Sequence, residues 1–199
     1  MTIQAWLLTL AIILVSLTSV GLLISRNWRF DIALLAVQYL GVLVLVSPAW
    51  HIELAVTKMV AGWMAGAVLG VAIANSPVGQ LKETPRSLSE LIFRLLSAGM
   101  VALVLFSVVP ITADWFGQIN FASRWGGLIL MGMGLLHLGF TNHPLRVTIG
   151  LLTGLSGFEI LYAAVETSTL VAGLLAGINL GLALVCAYLL IAPHFEERE

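Results

Sequence analysis

The sequence predicts an all-α, polytopic integral membrane protein: seven transmembrane helices, arranged as two parallel three-helix repeats joined by helix 4. Three observations carry this. Of the 199 residues, 60% are hydrophobic and only 10% charged, and the mean hydropathy is +1.05; a soluble domain carries about 25% charged residues. The apolar residues fall in runs long enough to cross a bilayer, separated by short polar stretches. Finally, "VAGWMAGAVLG" at 60–70 returns as "VAGLLAGINLG" at 171–181, identical at seven of eleven positions.

The spans follow in order. Apolar runs at 3–25, 30–49, 54–75, 90–112, 122–140, 145–165 and 168–192 are read as helices, because a chain in lipid must satisfy its backbone internally. The first run has no Lys or Arg before Arg26 and extends about 22 residues, unlike a cleaved leader with its basic start and short core. It is read as a retained span. Polar punctuation such as "SRNWRFD", "SPAWHIE", "NSPVGQLKETPRS" and "TNHPLR" marks the breaks, and Trp28, Trp50, Trp115 and Trp125 sit beside them, at headgroup level. The expected units are residues 1–75, a linking region 76–121 with a loop, a span and an outer loop, and residues 122–199.

Orientation follows from nine basic residues. Arg26, Arg29, Lys82, Arg86, Arg94, Arg146 and Arg198 fall on one side of this topology, and Lys58 and Arg124 on the other. The positive-inside rule puts the first group in the cytoplasm, with Arg29 and Arg146 as anchors, the N-terminus outside and the C-terminus inside. The expected location is the cell (inner or plasma) membrane.

Composition also excludes functions. The net charge of −1 and the lack of a basic run give nucleic acid no footing. The single cysteine, Cys186, lies in an apolar run and reads as a packing residue, with no disulfide or thiolate cage available. Neither a phosphate-cradling loop, a paired metal motif nor a catalytic triad stands outside the spans. No catalytic residue, metal or cofactor is expected.

The glycines at four-residue spacing, Gly62, Gly66, Gly70 and Gly173, Gly177, Gly181, read as bare packing stripes. Arg29 opens the second span in "RNWRFDIALLAVQYLG" and Arg146 the sixth in "NHPLRVTIGLLTGLSG", extending the duplication. The three-helix unit with an arginine at the start of its second helix resembles NuoK, a small subunit of complex I, and MrpC of multisubunit cation/proton antiporters. Two such units in about 200 residues resemble the hydrogenase-4 component E (HyfE) family, through "RFDIALLAVQ", "VTKMVAG" and "NHPLRVTIG". The resemblance implies a non-catalytic subunit of an ion-pumping complex, beside antiporter-like partners and contributing to a proton or sodium path. It also implies a membrane glutamate nine residues after the second arginine. This chain has Leu155 there, and Gln38 at the same offset in the first unit.

Charges within spans are costly and each asks for a reason, at about 2.5–3.5 kcal/mol on insertion scales. Glu159 and Lys58 have matched depths and opposite signs, so a buried pair between spans 6 and 3 is geometrically open. The alternatives are snorkelling for Lys58 and a neutral, hydrogen-bonded carboxyl for Glu159. Gln38 reads as an interhelical hydrogen-bonding residue, His137 as a titratable or bonding group near a span end, and Asp31 as a helix N-terminal cap. Together these five are the ion-path candidates. Glu53 and Glu166 are expected in solvated outer loops. Two other functions stay open: a stand-alone secondary transporter, and a scaffold with no ion path.

Overall fold

A computed structural model describes residues 3–76, 87–112 and 119–192. It contains seven helices: α1 (Ile3–Ile24), α2 (Trp28–Val46), α3 (Ile52–Asn75), α4 (Leu88–Ile111), α5 (Phe121–Gly139), α6 (Pro144–Tyr162) and α7 (Thr169–Ile191). Lys82, Arg86, Trp115 and Arg198 lie outside the described residues. The helix starts are chemically specified. Asn27 accepts from Arg29 N at 3.0 Å, Ser87 from Glu90 N at 3.3 Å and Asn120 from Ser123 N at 2.8 Å, each satisfying a donor that the first turn leaves open. Pro144 opens α6, where its missing N–H is harmless. The capping side chain of α2 is therefore Asn27 and not Asp31, which lies buried in the first turn, where a carboxylate still favours the helix N-terminus.

Six of these helices are long and apolar enough to cross a membrane; α5 is not among them. The reason is its composition. It carries Arg124 and His137, and glycines at 126, 127, 132, 134 and 139, which give up apolar side chain for close approach. A methyl group added at Gly134 would lie 2.5 Å from Gly154 N and 2.8 Å from Gly150 O, and one at Gly157 would lie 2.5 Å from Gly127 O. Helices α5 and α6 thus meet backbone to backbone, and such surfaces drive association where lipid removes the hydrophobic incentive.

The helices form two layers. In one, α2 lies between α1 and α3; in the other, α6 lies between α5 and α7; and α1 contacts α5, α2 contacts α6 and α3 contacts α7. Helix α4 lies against α5 and α1. Two apolar clusters fill the interior, one around Val15, Val42, Leu130 and Ile160, the other around Leu35, Leu69, Ile149 and Leu152. Cys186 belongs to the second, as a small packing residue.

The two ends of the bundle differ. At one, Arg94 donates to Leu23 O at 3.1 Å and to Glu90 at 3.3 Å, while Arg146 donates to Arg26 O at 2.7 Å. These arginines occupy carbonyls at and just beyond the end of α1, where the helix leaves acceptors unsatisfied. Arg29 is exposed and stacks over Trp28 at 5.2 Å. At the other end, Trp50 Nε1 donates to Glu166 O at 3.0 Å, and Ser123 Oγ to Leu45 O at 2.6 Å. Glu166 also accepts from Ser168 N at 2.9 Å, so it orders the start of α7 in addition to meeting water. Glu53 is exposed in the first turn of α3.

Candidate functional site

Between the layers, four helices contribute polar side chains to one buried cluster. Helix α6 supplies Thr153, Ser156 and Glu159, all buried, and three-residue spacing keeps them on neighbouring positions of one face. Helix α2 supplies Gln38 and Tyr39, α3 supplies Lys58, and α7 supplies Asn179.

Lys58 Nζ forms an ion pair with Glu159 Oε2, and Asn179 Nδ2 donates to Glu159 Oε1 at 3.3 Å. Both carboxylate oxygens are therefore engaged. Lys58 is 4% exposed and Glu159 1%, so the ammonium does not snorkel to a surface; it turns inward to its partner. It also lies 5.2 Å from the centre of the Tyr39 ring, within cation–π range. The ring is seated directly on Gly62, where any side chain would collide with it. Gly62 thus lets Tyr39 reach α3 four residues, one turn, from Lys58. Tyr39 and Ser156 are both buried, and Gln38 Nε2 donates to Thr153 Oγ1 at 3.3 Å. The cluster spans both layers.

The other expected residues lie elsewhere. Asp31 precedes Gln38 by seven residues, about 10 Å along α2. His137 is buried near the far end of α5, beside Gly150, nine residues from Glu159 on α6. Leu155 is half-buried, one turn before Glu159, and lines an apolar groove with Leu151, Phe158, Ile178 and Leu182 that Glu159 does not line. Gln38, at the same offset from its arginine, points into the cluster. Among the described residues, no three His, Cys, Asp or Glu side chains group to hold a metal.

The glycine stripes need a correction. Only Gly62 is in close contact as expected; Gly70 is 3.9 Å from Ile32, and nothing lies within 4 Å of a methyl placed at Gly66, Gly173, Gly177 or Gly181. Gly173 and Gly177 are exposed. The cause is the turn of α7, which directs Ala172, Leu175, Asn179, Ala183 and Cys186 inward so that Asn179 meets Glu159. The glycines that meet backbone directly are Gly127 and Gly134 of α5 and Gly157 of α6.

Sequence reasoning missed Tyr39, Thr153, Ser156 and Asn179. A signal existed for three of them. Thr153, Ser156 and Glu159 form a polar i, i+3, i+6 stripe in an apolar helix, and Asn179 replaces Val68 in the otherwise similar copies. Tyr39 gave no signal, since an aromatic in a span is ordinary. Compared with protein-family models, with curated proteins and with solved structures, the chain matches none. The chemistry has to be read from the cluster itself.

Proposed function

We propose that the chain is a non-catalytic membrane subunit of a hydrogenase-4-like, complex-I-like or Mrp-antiporter-like ion-pumping complex, packed against antiporter-like subunits. The observation that carries this is the Lys58–Glu159–Asn179 network buried at the seam of the two layers. An ionisable pair inside a bundle is expensive to bury and is a functional candidate by default. The like-on-like contacts of α1 with α5, α2 with α6 and α3 with α7 support a duplicated three-helix unit. With that duplication, α5 is read as a seventh span, its low hydropathy explained by its glycines and by the helices around it.

The side assignment rests on the arginines. Arg26, Arg94 and Arg146 gather at one end of the bundle, which is placed in the cytoplasm; the N-terminus then lies outside. Ser87 at the start of α4 and Thr167 before α7 fall on opposite sides. Cysteines introduced at the two positions are expected to react with a membrane-impermeant thiol reagent from opposite faces, with little background from the buried Cys186. Reaction of both from the same face would remove the odd span count.

Pull-down of the full-length chain in mild detergent tests the assembly. Large antiporter-like or redox subunits are expected with it, and recovery only as a lone monomer or homodimer would overturn the subunit reading. One observation favours a second reading, a scaffold without an ion path: the cluster is closed below by Leu35, Ile149 and Leu152, all buried. Under that reading, Glu159 variants that still assemble leave coupled ion movement unchanged.

A further inference from the structure

We infer that the Lys58–Glu159 site takes up and releases a proton, does not select sodium, and communicates with the Trp50–Glu166 end of the bundle alone. This rests on the ion-path reading above and names its substrate. Membrane sodium sites draw on carbonyls freed where helices unwind. Here α2, α3, α6 and α7 run unbroken through the cluster, so their carbonyls are committed to the helical ladder. Glu159 is the cluster's single carboxylate, with Lys58 on one oxygen and Asn179 on the other. A metal ion would have to enter beside an ammonium group, with no freed carbonyls to replace its water.

A proton needs none of this. When it binds Glu159 Oε2, an O–H bond forms, the charge on the carboxylate is cancelled and the ion pair to Lys58 breaks. The ammonium then keeps a partner, because the Tyr39 ring face already lies 5.2 Å away. Loss of the same proton restores the pair. The charged and titratable groups facing the site are Lys58 from α3, Tyr39 from α2 and Glu159 itself; α7 contributes the neutral Asn179 and α6 the neutral Ser156.

Access is one-sided. Glu159 stands three residues before the end of α6, about 4.5 Å of helix. In the opposite direction Gln38 and Thr153 are followed by an apolar layer of Leu35, Leu69, Ile149 and Leu152, with the buried hydroxyl residue Thr148 next to Ile149 on α6. From Gln38 the next ionisable group on α2 is Asp31, about 10 Å away along the helix.

Infrared pH-difference spectroscopy on the full-length protein in lipid nanodiscs tests this, with sodium varied tenfold against potassium. A protonated-carboxyl band is expected to titrate, to vanish in Glu159→Gln, and to keep its midpoint in sodium. A competing cation would instead move the midpoint by up to about one pH unit for the tenfold change, and that shift would overturn the proposal. So would absence of the band. Should Glu159→Gln fail to fold, Asn179→Leu provides the assignment: losing the hydrogen bond to Oε1 moves the carbonyl stretch of this carboxyl to higher frequency, and an unmoved band would mean another group titrates. These outcomes are independent of the pull-down, since a lone chain can titrate and an assembled one can fail to.

Discussion

Glu159→Gln is expected to destabilise the folded protein by about 3–5 kcal/mol, and the double change Glu159→Leu/Lys58→Met to leave it near the starting stability. The asymmetry comes from what each variant leaves behind. With Gln at 159, the Lys58 ammonium remains at 4% exposure without its counter-ion. Removing both charges leaves apolar groups of similar volume in a buried seam. Reversible unfolding in detergent, followed for wild type, both single variants and the double variant, measures the coupling. A double variant as unstable as the single one would show that the pair is not the energetic unit. The double variant also separates two roles: it should fold and assemble, yet show no titrating carboxyl at this site and no ion movement that depends on it.

Gly134→Leu and Gly157→Leu are expected to be the most damaging substitutions outside the ion pair. Overpacking a core typically costs about 1–3 kcal/mol because side chains shift to make room. Here the first atoms met are backbone, at 2.5 Å from Gly154 N for Gly134 and from Gly127 O for Gly157. Backbone inside an intact helix yields only if the two helices separate, so the loss should reach about 3 kcal/mol or more. Separation of α5 from α6 would also move Glu159, which lies two residues beyond Gly157. The control is Gly177→Leu, where nothing lies within 4 Å; a surface change of this kind stays within about 0.5 kcal/mol in the isolated chain. Equal thermal stability of Gly134→Leu and Gly177→Leu would sink the close-contact account of α5 and α6.

The residues of this chain determine the helices. Long apolar runs, Asn27, Ser87 and Asn120 at helix starts and Pro144 at the opening of α6 are local facts, and local hydrogen bonding decides where helices begin. The depth of Lys58 and Glu159 was also legible, because helical rise converts residue number to height. Which way each helix turns about its own axis was not. In lipid an apolar residue is equally content facing a neighbour or the bilayer, so hydropathy carries no rotational information. That is why the repeated glycines of α7 looked equivalent to those of α3, although Gly62 lies beneath Tyr39 while Gly177 faces outward. Only the packed structure, by bringing α6 against α2 and α3 against α7, decided that Lys58, Glu159, Asn179 and Tyr39 share one site. The physical cause is that a buried charge accepts few environments, and the rotation of each surrounding helix has to satisfy it.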